Sequence, residues 1–207
     1  MPIMRIAVDR LIANHRIFDT LDLRAEFGND NPVELDIGCG TGRFLIARAR
    51  AHPELNLLGI ERLLGRVRTV LAKAERHGLD NVRLLRLEAA YALDRMLPDA
   101  GLATVYIAFP DPWPKRRHHR RRLIQPTTVA NLYRVLRPGG TLHVATDHAD
   151  YYEQVCRLVE GHADWLPTAP YLPTPEETSS FERLWCAQGR PIYRCAWQRG
   201  QTADRGP

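Results

Sequence analysis

Paired cysteines are missing from this chain. The four present, Cys39, Cys156, Cys186 and Cys195, show no CxxC spacing. Neither a thiolate zinc site nor a redox pair is therefore expected, and reduced thiols in a cytoplasm are the simplest reading. The eight histidines form no ligand pattern either: His118 and His119 stand side by side in a basic stretch, and no metal site is expected. No uncharged apolar run approaches the ~20 residues that span a bilayer. Residues 1–11 are broken by Arg5, Asp9 and Arg10, which denies them the apolar stretch of a secretory signal. Repeats of the solenoid kind are absent too. What remains is 207 residues with 44% hydrophobic and 26% charged side chains, enough for one full α/β domain and too little for two.

The net charge of +5 is unevenly placed. Lys115 to Arg122 reads KRRHHRRR and carries six formal positive charges, so the rest of the chain sums to about −1. A cluster of that density implies a polyanionic partner; the plain alternative is a solvated helix start. Residues 1–30 are not a second basic arm, since four arginines face five acids there.

Hydrophobic periodicity alternates strand and helix. Strands are expected at Val33–Ile37, Asn56–Ile60, Val82–Leu87, Ala103–Phe109, Thr141–Thr146 and Ile192–Gln198. Helices are expected around Asp19–Phe27, at Arg43–His52 and Leu64–His77, weakly up to Leu97, and at Pro126–Leu136, Tyr151–Glu160 and Phe181–Gln188. Arg137-Pro-Gly-Gly140 reads as a turn. Pro167, Pro170, Pro173 and Pro175 make residues 167–178 a long loop, of the kind that is usually functional. The alternation predicts an α/β domain over residues 31–199 with a parallel sheet covered on both faces. An N-terminal segment, 1–30, precedes it, and a flexible tail, 200–207, follows.

Asp36-Ile-Gly-Cys-Gly-Thr-Gly42 joins the first of those strands to a helix, where a nucleotide-binding loop belongs. Glycines there allow a tight turn and let a ligand approach backbone. A dinucleotide fingerprint, GxGxxG, needs glycine at 43, and Arg43 stands there. The spacing of Gly38, Gly40 and Gly42, with Asp36 two residues ahead, resembles motif I of the class I methyltransferases. Glu61 ends the next strand and is suited to accept hydrogen bonds from ribose hydroxyls; alone, it would read as a helix-capping or surface acid. Glu88 follows the third strand, where that resemblance implies a side chain near the adenine amino group, against a plain surface glutamate.

The richest stretch is Ala108-Phe-Pro-Asp-Pro-Trp-Pro-Lys115 and the basic run beyond it. Pro110, Pro112 and Pro114 fix alternate φ angles directly after the fourth strand and deny a helix. Asp111 and Trp113 are thereby held at the carboxyl end of the sheet, where open α/β folds bind ligands.

From Val33 to Arg199 the chain closely resembles the bacterial tRNA (guanine-N7)-methyltransferases, most specifically at PDPWPKRRHHRRRL. The resemblance implies a Rossmann-like class I methyltransferase fold, mostly parallel and seven-stranded, with S-adenosylmethionine as cofactor and tRNA as partner. The implied reaction is methyl transfer to N7 of a guanine in the variable loop. It also implies that Asp36, Gly38, Gly40, Gly42, Glu61, Glu88 and Asp111 line the cofactor site, with Asp111 catalytic. Lys115 and Asp147 match substrate-contacting positions. A late threonine-x-phenylalanine-glutamate motif appears as Ser179-Ser-Phe181-Glu182, with either Ser179 or Thr178 filling the threonine place. Arg120 and Arg121 are expected to meet phosphates, which position without reading sequence. Two rivals stay open, a related methyltransferase of a small molecule and a non-catalytic RNA-binding subunit, as do monomer and homodimer.

Overall fold

The computed structural model describes residues 10–12, 19–162 and 164–201. Seven strands form one sheet, ordered β3-β2-β1-β4-β5-β7-β6. They are β1 (Val33–Ile37), β2 (Asn56–Ile60), β3 (Val82–Leu85), β4 (Leu102–Ala108), β5 (Leu136–Thr146), β6 (Trp165–Pro167) and β7 (Tyr193–Arg199). All neighbouring pairs are parallel except β5–β7 and β6–β7. β1 and β2 are buried at every position, as strands covered on both faces must be.

The helices are α1 (Leu23–Phe27), α2 (Arg43–Ala51), α3 (Leu64–Arg76), α4 (Ala89–Tyr91, continued by a π turn to Met96), α5 (Pro126–Val135), α6 (Ala149–Glu160) and α7 (Ser180–Ala187). One buried cluster joins α2 and α3 to the sheet: Leu45, Ile46 and Ala49 from the first, and Val67, Val70, Leu71 and Ala74 from the second. That i, i+3, i+4, i+7 spacing is what commits α3 to a helix with one apolar face. The other cluster gathers α1, α4, α5 and α6 with the opposite face of the sheet. On the side of α2, β4 and β5 carry an aromatic cluster of Tyr106 and His143, joined by Phe44 from α2. Residues 168–179 cross there without regular structure, and Tyr171 packs on Tyr106 of β4 and His143 of β5.

Three elements differ from the sequence expectations. Arg137-Pro-Gly-Gly140 is not a free turn but lies within β5: the register runs from Leu102↔Leu136 to Thr104↔Thr141, so the extra residues bulge out of the pairing. Gly140 lies so close to the carbonyls of Ala103 and Leu102 that a Cβ would sit 3.0 and 3.2 Å from them. The short strand β6 went unpredicted, because three residues are too few to show a period; it takes in Pro167, the first residue of the expected loop. Finally, residues 10–12 bridge the sheet edge beside β3, Ile12 N donating to Leu84 O at 2.9 Å. Within the N-terminal segment 1–30, residues 1–9 and 13–18 lie outside the described residues, as do 202–207 of the tail.

Candidate active site

Strand order reverses between β1 and β4, and the loops leaving these two strands diverge at their carboxyl ends, the position where open α/β sheets bind ligands. The loop after β1 turns at once. Gly38 N and Cys39 N both donate to Ile60 O, at 2.8 and 3.1 Å, pinning it to the end of β2. Gly38, Gly40 and Gly42 have φ of 74°, 57° and 73°, in the region closed to most side chains. Their reasons differ. A Cβ on Gly42 would lie 2.7 Å from Val70 Cγ2, so that glycine lets α3 pack against the loop. A Cβ on Gly38 would meet nothing within 4 Å, and one on Gly40 only the Gly38 carbonyl at 3.9 Å, so these two face open space.

Two acids flank that space. Asp36 on β1 is buried, and burial, followed by the charge of Glu61, raises its pKa to about 7. Glu61, also buried, accepts from Leu63 N at 2.8 Å and lies 3.5 Å from Arg66 Nη1. Glu88 is exposed at the end of β3, where its carboxylate caps α4 by accepting from Tyr91 N at 3.0 Å.

The loop after β4 is stiff and strained. Phe109 and Trp113 adopt φ of 53° and 40°, uncommon for residues with side chains and costly unless the surroundings hold them. Phe109 N donates to Ala145 O at 2.7 Å. At the other end Arg122, with no exposed side-chain surface, donates to Pro112 O at 2.8 Å and to Asp150 and Gln154 of α6 at 2.5 Å each. Asp111 is exposed between these anchors. Lys115 then leads into a 3₁₀ helix, Arg116–Arg121. Arg120 and Arg121 are exposed, and Arg121 stacks 5.0 Å from the Trp113 ring. One of the six charges of the basic run is thus structural, and the others remain outward.

Beneath residues 168–179 runs a network that the sequence reading missed. Arg48 of α2 forms a two-pronged pair with Glu34 of β1, at 2.6 and 2.9 Å. Its Nη1 also reaches Tyr171 Oη at 3.3 Å and Glu177 Oε1 at 3.4 Å, and Tyr171 donates its hydroxyl to Glu177. His143 accepts from Tyr171 N at 3.1 Å; burial, then the Arg48 charge, lowers its pKa to about 4, so it is neutral at ordinary pH. Arg43 donates to Thr178 O at 2.8 Å. One signal was available: Glu34 and Asp36 put two acids on a strand with no exposed face, and a buried acid demands a partner.

At the end of this crossing Ser179 caps α7, its hydroxyl accepting from Glu182 N at 3.1 Å. Glu182 pairs with Arg194 of β7. Thr178 instead turns inward on its own loop, its hydroxyl donating to Thr174 O at 2.8 Å. A cleft opens here, lined by Phe44, Ala108, Ala145, Ser179, Glu182 and Arg194 among others. Phe181 is exposed. Asp147, just past β5, is paired with Arg190 at 3.0 Å.

The structure thus gathers Asp36, the three glycines and Glu61 in one place, and Ser179 and Glu182 at the end of one cleft. Asp111, Lys115, Arg120 and Arg121 follow on the adjacent stiff loop, while Glu88 and Asp147 are engaged in a cap and an ion pair. No helix of the described residues is long and apolar enough to cross a membrane, and no group of three or more potential metal ligands occurs among them.

Comparison with known proteins adds four findings. The family model described as "Putative methyltransferase" matches residues 30–195. The tRNA (guanine-N(7)-)-methyltransferase of Marinobacter nauticus is 39% identical over 86% of this chain and 77% of its own length. That of Nocardia farcinica is 50% identical over 68% of this chain, which spans about half (52%) of the Nocardia protein. Among solved structures, the 16S rRNA methyltransferase KamB superposes with a TM-score of 0.64 at 20% identity, covering 87% of this chain and 94% of that one, a likeness of fold. Sheet order, glycine loop and relatives agree that the chain belongs to the tRNA (guanine-N7)-methyltransferase family of S-adenosylmethionine-dependent class I enzymes.

Proposed function

We propose that this protein methylates N7 of a guanine in the variable loop of tRNA. The observation that carries the reading is the loop after β4: a strained, twice-anchored segment that presents Asp111 at the switch point and runs directly into an outward basic surface. The tRNA enzymes of Marinobacter and Nocardia, so named, support the substrate class.

The residues present fit S-adenosylmethionine. Gly38 and Gly40 leave open backbone where a Cβ would stand, and beside them lie two buried acids, Asp36 with its pKa raised and Glu61, each with acceptor capacity to spare. Gly38, Gly40 and Gly42 would hold the methionine part, Asp36 its charged end, Glu61 the ribose hydroxyls and Glu88 the adenine edge. Bound there, the cofactor supplies an electrophilic methyl on a positively charged sulfur.

Guanine N7 carries an in-plane lone pair and loses no proton on methylation, so the chain needs no general base. Its task is to align donor and acceptor, a problem of proximity and orientation. Asp111 orients the base and offsets the positive charge that develops on it. Lys115, Arg120 and Arg121 take phosphates, Ser179, Phe181, Glu182 and Asp147 border the base, and the enzyme works in the cytoplasm beside its substrate.

The test is methyl transfer from labelled S-adenosylmethionine to tRNA lacking N7-methylguanosine, with nucleosides identified by mass spectrometry. N7-methylguanosine in the product is expected. No transfer, with cofactor still bound, would move the reading to a small-molecule substrate. Within the same assay, Asp111→Asn is expected to lower kcat about 100-fold with cofactor affinity kept; near-normal turnover would remove Asp111 from the mechanism.

A further inference from the structure

Arg43 is the residue that breaks the dinucleotide spacing. Placed at the first turn of α2, directly after Gly42, it spans 135 residues of sequence to donate to Thr178 O at 2.8 Å. Thr178 immediately precedes Ser179, which caps α7 and begins the segment carrying Phe181 and Glu182. Arg48, further along α2, holds the same crossing segment at Tyr171 and Glu177. Residues 168–179 have neither helix nor strand of their own, and Pro170, Pro173 and Pro175 remove three backbone donors. Their attachment is side-chain work: Arg43, Arg48, His143 and the Tyr171–Glu177 contact, with Thr168 N bonded to Ala196 O at 3.0 Å where the segment starts.

We propose that Arg43 and Arg48 are positioning residues that hang the Ser179–Glu182 corner from the helix carrying the cofactor loop. This rests on the tRNA reading of that corner. One rigid element then sets both halves of the site: the amino end of α2 fixes Gly38–Gly42, and its two arginines fix where the base is received. Both arginines are engaged with Glu34 or with the crossing segment, so each acts through the segment it holds.

The prediction separates cofactor from tRNA. Arg43→Ala removes a partly exposed side chain and leaves the Arg48–Glu34 pair whole. Tyr171→Phe deletes only the hydroxyl that bridges Arg48 and Glu177. Each is expected to lower kcat/KM for tRNA about tenfold, mostly through KM, the loss of one charge-assisted bond. Affinity for S-adenosylmethionine, read by calorimetry, should stay within twofold. Arg48→Lys, which keeps charge but not the fork, should fall between wild type and Arg48→Gln. Hydrogen exchange of residues 168–182 should accelerate in Arg43→Ala while α2 and α3 stay protected. Cofactor and tRNA parameters falling together would show a merely structural role and overturn the inference. So would unchanged exchange in the crossing segment. Wild-type protein that binds cofactor yet leaves tRNA unmethylated would refute the substrate reading, and the exchange experiment would still judge the arginines.

Discussion

The two ends of the site are built in opposite ways. Around Gly38–Gly42 the shape is made by main chain: three left-handed glycines, two backbone bonds to Ile60 and a helix seated on Val70. Around residues 109–122 and 168–182 it is made by side chains that tie irregular backbone to helices α6 and α2, chiefly Arg122, Arg48 and Arg43, with Tyr171. A backbone-built pocket is tolerant of surface change and intolerant of any added Cβ. A side-chain-built one can be dismantled a bond at a time, which suits the half that must recognise a particular substrate.

The contrast breaks most sharply at the glycines. Gly42→Ala carries both a left-handed φ and a 2.7 Å approach to Val70, and it should destabilise the fold by about 2–5 kcal/mol. Gly38→Ala carries the φ alone and should cost about 1–2 kcal/mol while still impairing cofactor binding. Urea denaturation of the pair measures the difference; equal losses would show that packing on α3 is not what Gly42 is for.

Next in size is the pH dependence written into Asp36. Its folded pKa, about 7, lies above the ordinary carboxylate value, so the folded state holds the proton more tightly. The contribution is whole below about pH 4, declines by about 1.4 kcal/mol per pH unit as the unfolded chain ionises first, and is gone above about 7. Asp36→Asn should flatten the slope between pH 4 and 7, and a slope equal to wild type would assign it to other groups. Positive charge bound beside Asp36 favours its ionised form, so S-adenosylmethionine should bind more tightly as pH rises through 7.

The basic run sharpens the comparison within eight residues. Arg122→Ala, cutting the clamp between Pro112 and α6, should cost about 2–3 kcal/mol of stability. Arg120→Ala should leave the melting temperature alone and reduce the salt dependence of tRNA binding by roughly one charge. Loss of stability in Arg120→Ala, or none in Arg122→Ala, would reverse the assignment.

The backbone-built half was legible in sequence, the other half less so. Glycine spacing, Asp36 and Glu61 sit within one strand-loop-helix-strand unit, and short-range pattern reveals short-range structure. The proline-scaffolded loop was readable too, since each proline fixes its own φ. Arg122 could not be told from its neighbours, because its burial depends on Asp150 and Gln154 some thirty residues on. Nor could Arg43 or Arg48 be tied to residues more than a hundred positions away. The bulge at Arg137–Gly140 looked like a turn because its composition is that of a turn; pairing with β4 decided otherwise.

The Arg48–Glu34 pair has a consequence for the order in which the chain assembles. Its partners are 14 residues apart and bracket the β1–α2 unit, so they can meet while the carboxyl-terminal half is still being synthesised. Tyr171 and Glu177 lie 123 and 129 residues beyond Arg48, so Glu34 is the partner that can neutralise the guanidinium before they are available. The β1–α2 unit thus carries its own counter-ion for the buried guanidinium, and the crossing segment completes a charge balance that a neighbour in sequence can already supply.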